Sequence, residues 1–283
     1  MLHHTLDPAM PVLMRPDGTV QVGWDPRRAR LVRPPDGLSA AALADVLRAM
    51  QSGIAVADLQ SLAVNRGAVD TAAVAELVTS LVRSGLVTSR SDHGDQLSRS
   101  ASIRIHGRGP LSDLLAGGLR CSGARVRHSR LTHAGVNPRN TDLVVLSDNL
   151  IADPRLVRGL HDAGVPHLPV RVRDGTGLVG PLVIPGTTSC LRCADLHRSD
   201  KDAAWPALAA QLRDAVGSAD RATLLATAAL ALNQVDRVIR AIREANGDRA
   251  GEPPPTLNTT LEFDVNTGST LSRRWSKHPR CEC

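Results

Sequence analysis

The sequence predicts an α/β protein preceded by a small winged-helix domain, and three observations carry that prediction. From residue 101 onward, short apolar strands alternate with helical stretches, the rhythm of a parallel sheet with right-handed crossovers. Residues 1–90 are ordered differently: short strands come first, three helices follow, and a last strand closes the segment. Between them residues 91–100 are polar and without periodicity, which marks a linker. A chain of 283 residues accommodates one large domain or two.

In the N-terminal segment, residues 12–15 and 20–24 read as strands flanking the turn signal Pro16, Asp17, Gly18, and residues 30–33 as a third strand. Ser39 caps a helix that ends near Met50, where Ser52 and Gly53 break it. Residues 56–65 form a second helix, closed by Arg66 and Gly67. Asp70 caps a third, in which Val74, Leu77, Val78 and Leu81 recur at helical spacing. Gly85 stops it, and residues 86–88 return to strand as the wing.

In the second segment residues 102–105 are a strand, His106 to Gly109 a turn, 111–120 a helix and 125–127 a second strand. Residues 142–146 form a continuous apolar strand of the kind buried on both faces. Residues 154–163 are helical with Pro154 in the first turn, and residues 166–170 and 178–184 are further strands. A long helix with one Ala/Leu/Val face covers residues 219–245. Pro253, Pro254 and Pro255 mark a surface loop, and residues 259–274 a hairpin around Asn266, Thr267 and Gly268.

The net charge of +6 is unevenly divided. Residues 1–95 hold nine Arg against ten acids, and residues 96–283 hold 25 Arg and Lys against 18 acids. The excess is arginine, since Lys201 and Lys277 are the lysines of the chain. In the third helix two acids face the single Arg83, which argues against a recognition helix that must offset phosphate charge. No apolar run approaches the roughly 18–20 residues of a membrane span, and no secretory signal opens the sequence. A cytoplasmic protein is expected, with its thiols reduced.

Four of the five cysteines form two close pairs, Cys190 with Cys193 and Cys281 with Cys283. Two such pairs supply the four thiolates of a closed, tetrahedral structural Zn²⁺ site, which would tie the end of the sequence to its middle. The alternatives are four independent thiols or a disulfide, but a disulfide inside either pair would be strained. Cys121 reads as a small buried hydrophobe. Arg192, Asp195, His197 and Arg198 surround the first pair, either orienting its loop through hydrogen bonds or forming a solvated surface. Trp205 and Trp275 read as packing residues.

Gly107 and Gly109 lie between a strand and a helix, where glycines let a backbone approach a phosphate and the helix N-terminus favours an anion. The same turn also serves a purely structural role. Ser112 stands at the third glycine position, and the region near Arg127 lacks the ribose-binding acid. Ser147, Asp148 and Asn149 follow the buried strand at the sheet edge where ligands gather. Asp148 there suits either a Mg²⁺ ligand beside a nucleotide or a cap for the following helix.

Residues 141–149, the Gly180–Gly186 stretch and the two cysteine pairs occur in an order that resembles the E1-like (ThiF/MoeB) superfamily. The run from Cys193 through Asp195, His197, Arg198, Asp200, Trp205 and Pro206, with the ending His278 to Cys283, resembles one branch. That branch comprises the E1-like partner proteins of YcaO cyclodehydratases, which help make thiazole- and oxazole-modified peptides. The likeness covers residues 100–283, and residues 1–90 resemble the PqqD-like peptide-recognition winged helix.

This resemblance implies a Rossmann-like E1/ThiF-type sheet, structural zinc on Cys190, Cys193, Cys281 and Cys283, and a homodimer. It also implies a leader or precursor peptide and a YcaO-type enzyme as partners. Gly107, Gly109 and Asp148 would line the family's ATP/Mg²⁺ site. Here, however, 41 positions separate Gly107 from Asp148, fewer than is usual for the family, and no lysine lies between them. Arg125, Arg127, Arg130 and Arg139 match no triphosphate-binding motif. Phosphoryl and adenylyl transfer need positioned cations. The expectation is therefore a peptide-binding, non-catalytic scaffold that presents a precursor peptide to a separate enzyme. The alternatives are an ATP-dependent adenylyltransferase and, further off, a DNA-binding protein.

Overall fold

The computed structural model describes residues 2–66, 71–91, 100–130, 137–244 and 253–283. The chain forms two units, Met1–Ser98 and Arg99–Cys283. Gly67, the expected cap Asp70, Ala245 and most of the 91–100 linker lie outside the described residues.

The first unit contains β1 (Leu2–Leu6), β2 (Val12–Met14), β3 (Val20–Val22), β4 (Arg30–Val32), α1 (Ala40–Gln51), β5 (Ile54–Ala55), α2 (Val56–Asn65), α3 (Thr71–Arg83) and β6 (Val87–Ser91). Strands β2, β3 and β4 form an antiparallel sheet with Val12 opposite Val22 and Val20 opposite Val32. This register buries one valine face. Ser39 caps α1 as expected, accepting from the Ala42 N–H at 3.1 Å, a bond worth about 1 kcal/mol. Leu43, Leu47 and Met50 of α1 are fully buried with Leu6, Val20 and Val22. Each such side chain contributes roughly 2 kcal/mol of burial.

A second antiparallel sheet, of order β5-β1-β6, uses two strands that the periodicity did not announce. In β1 the buried His4 takes an inward position, bonded to Ser89 Oγ at 2.8 Å, so the apolar alternation is hidden. Burial, then His3, lowers the pKa of His4.

The second unit contains β7 (Ser102–His106), α4 (Pro110–Gly118), β8 (Arg125–Ser129), β9 (Leu143–Ser147), α5 (Pro154–Asp162), β10 (His167–Arg173) and β11 (Thr176–Val179). After these come α6 (Leu191–Lys201), α7 (Trp205–Gln211), α8 (Arg221–Glu244), β12 (Thr259–Asp264) and β13 (Ser269–Arg274). One seven-stranded sheet runs in the order β13-β12-β11-β10-β9-β7-β8. The block β8-β7-β9-β10 is parallel, as expected, whereas β11, β12 and β13 continue it antiparallel.

The strand expected over residues 178–184 stops at Val179, because Pro181 has no N–H to give the ladder. It also begins earlier, at a tight hairpin from β10 through Asp174 and Gly175, both at positive φ. An Asp-Gly pair with that geometry matches the right-handed twist of the strands it joins.

The sheet is covered on both faces. Ile103, Ile105, Leu143, Val145, Leu168 and Val170 face α4 and α8. The alternate residues Val144 and Leu146 face Leu156 and Leu160 of α5. This explains why β9 reads as an unbroken apolar run. One single-residue reading needs correction: Cys121 is exposed, since it follows α4 in a short surface turn. No helix among the described residues is long and apolar enough to cross a membrane.

Candidate metal centre and glycine turn

Cys190 precedes α6 and Cys193 lies in its first turn, while the loop after β13 carries Cys281 and Cys283 back to them. The Sγ atoms of Cys190 lie 3.8 Å from Cys193 and 3.6 Å from Cys281, and Cys193 lies 3.4 Å from Cys283. A tetrahedron with metal–sulfur bonds of about 2.3 Å has edges of about 3.8 Å, so the four thiols already approximate one. Burial pushes the Cys190 thiol pKa up. Burial also opposes ionisation of Cys193, but the His278 and Cys190 backbone bonds and the neighbouring thiols outweigh it and lower its pKa. Four close sulfurs cannot all ionise without a cation between them. The donor set fits a soft divalent ion.

The surroundings hold these thiols in place. The His278 N–H donates to Cys193 Sγ at 3.3 Å. His278 Nδ1 accepts from the Arg280 N–H at 3.1 Å, so Nε2 carries the proton and donates to Asp200 at 2.8 Å. Arg280 also bonds Asp200. Asp195 accepts from Arg198 at 2.9 Å and from Trp205 Nε1 at 3.2 Å. The Arg198 guanidinium lies against both the Trp205 and Trp275 rings, 5.0 and 4.7 Å from their centroids. Asp195 and Arg198 are therefore bonded into a network and His197 bonds Ser276 O at 3.1 Å, whereas Arg192 is exposed.

The glycine turn has a different character. Asp148, fully buried at the end of β9, does not cap the helix that follows it; Asp153 does, accepting from Arg155 at 2.8 Å. The Asp148 carboxylate reaches back to the N-terminus of α4, accepting from Leu111 N–H at 2.9 Å and from Ser112 N–H at 3.3 and 3.4 Å. It sits where a helix favours an anion. The Gly109 N–H donates to Ser112 Oγ at 3.1 Å and the Gly107 N–H to Ser129 O at 3.1 Å.

Close approach explains both glycines. A Cβ on Gly107 would fall 2.3 Å from Ser147 Oγ, and one on Gly109 would fall 2.7 Å from Asp148 Oδ1. The segment after α7 lies across the same edge. Leu150 N–H bonds Ala215 O at 2.9 Å, and Gly217 N–H bonds Asp148 O at 3.0 Å. Sequence reasoning placed Gly107, Gly109 and Asp148 together, and they do meet. It missed that the Asp148 carboxylate bonds the Leu111 and Ser112 amides and that residues 215–217 pair with residues 148–150.

No protein-family model and no curated protein sequence matches the chain. Its fold does have solved counterparts. A heterocyclase in complex with substrate and cofactor superposes on the whole chain with a TM-score of 0.70 at 14% identity. The heterocyclase TruD does so with 0.69 at 14% identity. The chain spans 39% and 42% of those two proteins. E. coli MccB, solved with ATP, matches over 99% of both chains with a TM-score of 0.60 at 12% identity. At such identities the likeness is one of fold.

Proposed function

We propose that this chain is a peptide-binding, non-catalytic E1-like scaffold that presents a precursor peptide to a separate YcaO-type cyclodehydratase. The observation that carries this reading is the Asp148 carboxylate on the N-terminus of α4. A nucleotide phosphate would compete there with a buried internal anion, and no lysine lies between Gly107 and Asp148 to draw it in. The fold neighbours support the peptide side of the proposal. They include heterocyclases and MccB, the latter also solved as a microcin C7 biosynthetic enzyme with N-formylated MccA. The chain matches less than half of the length of those heterocyclases.

In this reading the first unit is a PqqD-like winged helix that takes the peptide as an added strand, with α3 alongside. In the β2-β3-β4 sheet the outer edge of β4 has no strand partner among the described residues. The opposite edge strand, β2, is covered by α1, whose Arg48 and Gln51 bond the carbonyls of Val12 and Met10 at 3.2 and 2.8 Å. The cysteine centre holds structural Zn²⁺ in a cytoplasmic homodimer. The test is a pull-down of precursor peptide by the full chain, read beside calorimetry with Mg-ATP. Peptide capture without ATP binding supports the proposal. ATP-dependent pyrophosphate exchange that is lost in Asp148→Ala would replace it with an adenylyltransferase.

A further inference from the structure

A cavity of about 320 Å³ opens in the second unit beside, but separate from, the glycine turn, at the C-terminal end of β10. It is lined by Arg171, Arg173, Arg198, Lys201 and Arg273, by one acid, Asp202, and by the apolar Leu150, Ile151 and Leu212. Most of these cations have partners. Arg173 and Arg273 share the buried carboxylate of Glu262, at 3.3 and 2.8 Å. Arg198 is held by Asp195 and lies against both indoles.

Arg171 is different. It is half-buried on β10, and no described residue hydrogen-bonds its guanidinium. Loss of solvent, then the nearby Arg198, lowers its pKa to about 10, so it is still charged at neutral pH. Its guanidinium fork is left without a hydrogen-bonding partner, and Asp195 and Glu262 favour its charge only through space.

We infer that this cavity is a binding site for a small carboxylate on an apolar stem, the carboxylate pairing with Arg171 and the stem resting on Leu150, Ile151 and Leu212. A planar fork matches a carboxylate in two parallel bonds. The neighbouring arginines already select that group, since their internal partners, Glu262 and Asp195, are carboxylates. The inference rests on the cavity itself and stands whether or not the chain presents peptides.

The test uses the full zinc-loaded chain. Trp205 and Trp275 line the cavity, so tryptophan emission reports occupancy directly. The probe is N-acetyl-leucine, with N-acetyl-leucinamide and inorganic phosphate as comparisons. The expected result is saturable binding of the carboxylate at about 1 mM, the affinity open to so small a ligand. The amide and phosphate should bind at least ten times more weakly. Arg171→Met should lose the carboxylate at least tenfold while melting no lower than the parent in the absence of ligand. Lys201→Gln, on the rim, should weaken it several-fold. Equal binding of the amide, tighter binding of phosphate, or a destabilised or unfolded Arg171→Met protein would each overturn the assignment, the last by making Arg171 a structural cation.

Discussion

The cysteine centre and the glycine turn both announce themselves as ligand sites in the sequence, and the fold treats them in opposite ways. At the cysteines, four donors converge with no positive charge among them. At the turn, the donors of α4 converge on a carboxylate that the chain itself provides. The first arrangement is incomplete without a cation, whereas the second is complete. A motif thus indicates which groups gather, and only the matching of charge and hydrogen bonds indicates whether a ligand is still needed.

The strongest way to break this contrast is at the metal. Cys281→Ser or Cys283→Ser should release the ion and lower the melting temperature on the order of 10–20 °C, because binding energy at such sites is folding energy. Metal content and calorimetric melting check this. A variant with one zinc per chain and parental stability would refute the four-thiolate site.

Acid gives the next effect. His167, fully buried on β10 beside the cysteine centre, bonds Val165 O through Nδ1 at 3.1 Å. Burial holds its pKa down to about 4. With the folded value below the unfolded one, the unfolded state takes the proton first. Stability is therefore intact above pH 6.5 and falls as the pH drops toward 4, by roughly 3 kcal/mol from this residue. Denaturant titrations should show that slope flattened in His167→Leu while zinc content at neutral pH is kept.

At the turn, Asp148→Ala should cost about 2 to 3 kcal/mol by stranding the Leu111 and Ser112 amides, a loss readable in urea midpoints. Gly109→Ala should cost about 1 to 2 kcal/mol, since the new methyl would meet the Asp148 carboxylate. Unchanged stability in both variants would mean that the Asp148 seat does little for the fold.

Much of this was legible in the sequence because local chemistry carried it. Ser39 sits one residue ahead of an apolar helical run and caps it, and residues 56–65 form the helix their spacing announces. The close spacing within each cysteine pair marked it as a candidate half of a metal site. Other features depend on partners distant in sequence. Asp148 meets Leu111 across 37 positions, which no local pattern records. β1 was hidden because His4 replaces an apolar residue at an inward position.

Arg171 was missed for a simpler reason. The strand was expected to end at residue 170, whereas β10 runs to Arg173 and turns at Asp174 and Gly175. The alternation Val170, Arg171, Val172, Arg173 puts both arginines on the face opposite the buried valines, and the Asp-Gly turn signal was there to extend the strand.

The central claim is that the glycine turn is closed by its own carboxylate and takes no nucleotide. Calorimetric titration of Mg-ATP into the full zinc-loaded chain tests it most directly. The account predicts no saturable heat up to roughly 1 mM ligand. One-to-one binding at micromolar affinity, weakened by Asp148→Ala, would contradict it.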